Sequence, residues 1–176
     1  SSDLASMDWI SDFAAKTPYD LSGVTDAFVK LKAYGIDPIN GDALRTLGDT
    51  AAAMGKPVMQ AVEALADAVT GENERLKEFG IKAAKQAGKI AYTYTDSAGK
   101  QQTKLVDANS REQIQATLQA IWNEKYAGAM DKLSNTWEGI TSNIGDQFDR
   151  LKLEIGRAGV FDGAKEGLKA FQRMLE

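Results

Sequence analysis

"GENERLKEFGI", Gly71 to Ile81, places glycines at 71 and 80, acids at Glu72, Glu74 and Glu78, bases at Arg75 and Lys77, and only Leu76, Phe79 and Ile81 as apolar bulk. Charge this dense fits an acid/base site, a ligand clamp or a connector between helices. A glycan-cleaving proton donor needs a carboxyl raised by burial, and no apolar pocket is suggested around the three glutamates. Glu74 stands three and four positions before Lys77 and Glu78, which is the spacing of a solvated helical turn. The stretch therefore reads as a capped connector. Arg75, Lys77 and Glu78 face water while Leu76, Phe79 and Ile81 dock back.

Upstream, the apolar period is helical. Leu4, Met7, Trp9, Ile10, Phe13 and Ala14 form one face that stops at Thr17-Pro18, because proline disfavours helix in the residue before it. Ser22 is a plausible cap for Val24, Ala27, Phe28, Leu31 and Tyr34, closed by Gly35; Asn40 to Met54 turns Leu44, Leu47 and Ala51 inward and is closed by Gly55. Pro57 opens a fourth helix carrying Val58, Val62, Leu65, Ala66 and Val69. Downstream, "KIAYTYT" (Lys89–Thr95) alternates at period two, "DSAGK" turns, and "QQTKLV" returns, so a lone hairpin is expected with its aromatic face on a helix.

From Ser110, whose "SREQ" is a capping-box pattern, the helical period resumes. Ile114, Leu118, Ile121, Trp122, Met130, Leu133, Trp137, Ile140, Ile144, Phe148, Leu151 and Ile155 form a stripe. From Leu133 the steps are 4, 3, 4, 4, 3 and 4, close to the roughly 3.67-residue rhythm of a straight helix. One helix of about 70 Å is one reading at 1.5 Å per residue. A break at Gly128, Gly139 or Gly145 is the other, since each glycine costs about 1 kcal/mol against alanine. The expected fold is mainly α: a compact bundle over 1–88, a β-hairpin over 89–107, and over 108–176 a long helix or helix pair plus a terminal helix from Phe161. Trp122, Leu133, Trp137, Ile140, Ile144, Phe148, Leu151 and Ile155 are the expected partner surface, covered by self-association.

Composition narrows the chemistry. The 176 residues contain no Cys and no His, which removes thiol nucleophiles, Ser-His-Asp triads and nearly all zinc sites. No cofactor, metal or catalytic residue is expected. Net charge is −4, divided as −5 over 1–70, +2 over 71–109 and −1 over 110–176, with no clustered basic face for a duplex. "GDTAAAMGKPVMQAVEAL" has the spacing of a helix-turn-helix, but its second helix would offer Glu63 and Asp67 to phosphates. Gly23, Gly41, Gly55 and Gly71 are helix ends rather than a phosphate loop. No apolar run approaches the roughly 20 residues of a membrane span. The first residue is Ser and the helical pattern starts at Leu4, so the chain reads as a segment of a longer one.

In order along the chain stand Thr17-Pro18-Tyr19, an Ala27-Phe28-x-x-Leu31 helix, Leu47-Gly48-Asp49-x-Ala-Ala-Ala-x-Gly55, and Gly71-Glu72-x-x-Arg75-Leu76-Lys77-x-Phe79-Gly80-Ile81. This ordered series resembles the folded region of the tail tape-measure proteins of long-tailed bacteriophages and prophages, and "KLSNTWEGITSNIGDQFDRL" is similar to the helical stretch that follows there. The resemblance covers most of Thr17 to Leu151. It implies a structural protein of virion assembly that sets tail length and occupies the tail-tube lumen, after assembly in the host cytoplasm. Implied partners are tail-tube proteins, tail-tip proteins and tail assembly chaperones. A helical adaptor unrelated to phage and a cell-wall hydrolase segment are the alternatives; incubation with peptidoglycan tests the second.

Overall fold

The computed structural model describes residues 2–135, 137–157 and 171–175. Its centre is α4, Val58–Val69, opened by Pro57 and buried at Val58, Ala61, Val62, Ala64, Leu65, Ala66, Ala68 and Val69. Apolar residues on nearly every side need neighbours on nearly every side, and α4 packs against α2, α3, α5 and the connector. Ahead of it run α1 (Ser2–Ala15), α2 (Leu21–Ala33) and α3 (Ala43–Ala53). The cap of α2 is Asp20, whose carboxylate accepts from Gly23 N at 2.7 Å, not Ser22. Its C-terminus closes on Gly35 at φ +75°, with Ile36 N donating to Leu31 O at 2.9 Å. Before α3 the Asp37 carboxylate accepts from the Ile39 and Asn40 amides, and bonds from Asn40's side chain and these amides hold it below the usual carboxylate range.

The connector forms a short 3-10 helix, Glu74–Phe79, and leads into a strand that the alternation of the sequence does not show. The lone hairpin is therefore corrected to a three-stranded antiparallel sheet in the order β1 (Ile81–Gln86), β2 (Lys89–Thr95), β3 (Gln101–Asp107). Ile81 pairs with Tyr94 and Ala84 with Ala91, while Ile90 pairs with Val106 on the other side. One face, with Ile81, Ile90, Tyr92, Tyr94 and Val106, joins the core cluster that runs through α1 to α6. Ala87 (φ 47°) and Gly88 (φ 79°) make the β1–β2 turn with both central residues left-handed, the signature of a type I′ hairpin.

The C-terminal stripe is broken, and at Gly128. α5 (Arg111–Tyr126) ends as Ala127 turns extended and Gly128 left-handed, α6 covers Ala129–Ser134, and α7 runs Trp137–Arg157. The single-helix reading is thus corrected, while Gly139 and Gly145 lie inside α7. Ser110 caps α5 by accepting from Gln113 N at 3.2 Å, but the Gln113 side chain accepts from Asp107 N instead of closing the box. The terminal helix expected from Phe161 falls mostly outside the described residues, of which 171–175 are helical.

Two buried aromatics make opposite predictions. Tyr92 is fully buried with its hydroxyl unpaired, and burial pushes its phenol up to about 12; Trp122 is fully buried with its indole N–H donating to Phe79 O at 3.1 Å. Tyr92→Phe removes an unsatisfied group and should hold or raise stability by about 1 kcal/mol. Trp122→Phe should lower it by about 2 to 3 kcal/mol, through lost volume and an orphaned carbonyl. Urea unfolding followed by circular dichroism reads both.

Candidate functional site

The motif residues fall at two joints of the fold rather than in one cleft. At the first, Tyr19 donates to Gly48 O at 2.8 Å, and the Asp49 carboxylate accepts from Gly128 N at 3.2 Å and Met130 N at 2.9 Å. Asp49 is thus the cap of α6 supplied from α3, and its negative charge sits where a helix start carries orphan amides. A side chain at Gly48 would meet the Met130 sulfur at 2.5 Å, so glycine is what lets α6 lie against α3. Burial, then the Asp49 charge, pushes the Tyr19 phenol well above its ordinary value. Thr17 and Leu47 are buried here, Pro18 leads into Tyr19, and Phe28 is buried with its ring 6.0 Å from Trp9.

At the second joint, Leu76, Phe79 and Ile81 are fully buried, while Glu72, Glu74 and Glu78 are exposed. Arg75 reaches back to Glu63 and Asp67 of α4, the latter at 3.0 Å; Lys77 pairs with Glu74 at 2.9 Å and Lys56 with Glu78 at 3.7 Å. The partner of Arg75 lies on the preceding helix, which neighbour spacing within the motif does not reveal. Gly71 (φ +99°) and Gly80 (φ +82°) carry the two bends. At Gly80 an added Cβ would stand 3.0 Å from the Tyr126 hydroxyl. These solvated carboxylates, two of them in exposed ion pairs, lack the burial that makes a proton donor.

The expected partner stripe divides. Trp122 is corrected to core: its ring meets Phe79 edge-on at 6.2 Å and leaves nothing for a partner. The reason is that α5 lies on α3 and α4, so its stripe is covered within the chain. Leu133 is half-buried, whereas Ile144 and Leu151 on α7 are 50% and 41% exposed. Phe148 is buried outside the main core cluster and stacks on Phe171 at 5.8 Å. The side chains of Trp137, Ile140 and Ile155 lie outside the described residues. What α7 turns to the bundle is Asp146, which accepts from Leu21 N at 3.0 Å, and Arg150, which pairs with Asp12 at 2.9 Å. Periodicity missed Asp146 because a lone aspartate on a helix looks like any solvated one.

Among the described residues no group of three or more His, Cys, Asp or Glu is placed to hold a metal, and no helix is long and apolar enough to cross a membrane. The hollow of about 520 Å³ between α3 and α5 is shallow and lined by Gly41, Asp42, Gln115 and Gln119 among others.

A family model described as tape measure protein matches residues 4–157. The chain is also 28% identical, over 182 residues, to the Mu-like prophage FluMu protein gp42 of Haemophilus influenzae, an alignment that covers 95% of this chain and 28% of that protein. It spans about 28% of the length of that relative. No solved structure matches it. The chain belongs to the tape measure protein family, structural proteins of phage tails.

Asp49→Ala should cost about 2 to 3 kcal/mol, as expected for bonds to a charged acceptor that leave two amides orphaned. Replacing Glu72, Glu74 and Glu78 together by Gln should cost less than about 1 kcal/mol per pair, as for exposed ion pairs. Denaturant unfolding that ranks the glutamate triple below Asp49→Ala would contradict this account of the two joints.

Proposed function

We propose that the chain is the folded module of a tape measure that sets tail length and occupies the tail-tube lumen, and that within it this module joins rather than measures. The observation that carries the reading is the coincidence of the family match, residues 4–157, with a packed core running from Ile10 to Met130. A ruler converts residue count to length at about 1.5 Å per helical residue, so 176 residues drawn out as one helix would span about 260 Å. A folded chain of this size has a radius of gyration of about 16 Å. Packed, it contributes little length. The partners that suit such a junction are tail-tube and tail-tip proteins and tail assembly chaperones, met in the host cytoplasm before the tail closes around it. Leu133, Ile144 and Leu151, with Trp137, Ile140 and Ile155, are the surface proposed for self-association, Phe148 being already buried within the chain.

The family membership leaves no support for an adaptor unrelated to phage. A hydrolase segment predicts muropeptide release from peptidoglycan, and this reading predicts none. The direct test is in-frame deletion of residues 4–157 from a tape measure that contains the chain, followed by electron microscopy of the tails. The joining role predicts tails that are missing or of scattered length. Uniform tails shortened by about 230 Å, the rise of 154 helical residues, would assign the module to the ruler itself.

A further inference from the structure

Among the described side chains, the bonds that tie α7 to α1 and α2 are polar. The α7 stripe residues Ile144 and Leu151 are exposed, and Phe148 stacks on Phe171 at 5.8 Å. The seam holds one ion pair, Arg150 with Asp12 of α1, and one buried carboxylate, Asp146, 1% exposed. Asp146 Oδ1 takes the Leu21 amide at the start of α2, and Oδ2 is buried with no partner. The same helix start is already capped by Asp20, so two carboxylates converge on one set of orphan amides. Beside them a hollow of about 160 Å³ remains between the helices, lined by Met7, Ile10, Leu21 and Leu153 together with Asp8 and Glu154. That hollow opens to solvent at Met7, Asp8, Leu153 and Glu154, and an unpaired buried charge beside it is not tolerated cheaply.

We propose that α7 is a latch: it holds α1 and α2 through Asp146 while that carboxyl is protonated and lets go of them when it ionises. The charged groups around it are Asp20 from the α2 cap, Asp12 and Asp8 from α1, and Asp149, Arg150 and Glu154 from α7 itself. Burial raises the Asp146 carboxyl to about 7; the Leu21 bond opposes this, and the Asp20 and Asp149 charges add to it. Because the docked value lies above the ordinary 3.8, the docked state keeps a proton that the released state gives up. Docking is therefore tightest below the ordinary value, weakens as pH rises towards the docked value by up to about tenfold per pH unit, and is constant above it. The latch rests on the geometry of α7 alone and not on the joining role, so the two tests fail separately.

The chain has no cysteine, so Ala5→Cys on α1 and Gln147→Cys on α7, both exposed, give one pair of spin labels in the full chain. Double electron–electron resonance at pH 5 should give a single short distance, and at pH 8.5 a second, longer component. Asp146→Asn, which has the same shape without the charge, should keep the short distance at both pH values, and Asp20→Asn should shrink the longer component. One distance distribution at both pH values in the parent pair would overturn the latch, and so would an Asp146→Asn variant that responds as the parent does. If that variant lost its helical signal, the parent pair's pH response and the Asp20→Asn comparison would decide it.

Discussion

The bond from the Trp122 indole N–H to the Phe79 carbonyl, 3.1 Å across 43 residues of chain, is the contact on which the arrangement of the other elements depends. Phe79 ends the 3-10 helix, where a carbonyl has no helical partner, and it is fully buried. Trp122 satisfies that carbonyl and fills the adjoining space with its ring, edge-on at 6.2 Å. In one contact the end of the bundle, the root of the sheet and the middle of α5 become a single core. Leu76 and Ile81 complete the seal on either side.

The family's ordered motif makes physical sense as a set of joints. Gly48 and Asp49 let α6 approach α3 and cap it; Gly71, Arg75 and Gly80 turn the chain out of α4 and tie the turn back to it. A domain built this way is stiff from α1 to α6. α7 follows a different rule: a carboxylate and an ion pair tie it to α1 and α2, while Ile144 and Leu151 stay exposed. One packed core with a helix tied on through polar contacts suits the joining role proposed above.

Much of this fold can be read from the residues because the relevant forces are local. Thr17-Pro18, Gly35, Gly55 and Pro57 punctuate the first four helices through backbone preferences that act within a few residues. β1 escapes the same reading because "IKAAKQ" is rich in alanine and lysine and does not alternate; pairing with β2 makes it a strand. Its one local trace is Ala87-Gly88, a turn that needs positive φ at both positions. The break at Gly128 is non-local too, since the carboxylate that stabilises the new helix start comes from Asp49, 79 residues earlier. Meanwhile Met130 and Leu133 carry the apolar rhythm across the gap and imitate one helix. Trp122 fell into the exposed stripe for a related reason: period shows which side of a helix is apolar, not what covers it.

Native-state hydrogen exchange tests the central claim, one stiff core from α1 to α6 with α7 seated apart, most directly. Amides of α3, α4, β2 and α5 should exchange last and together, through the same global opening, with those of α7 exchanging well ahead of them. Protection of α7 equal to that of α4, or a sheet that opens independently of α5, would contradict it.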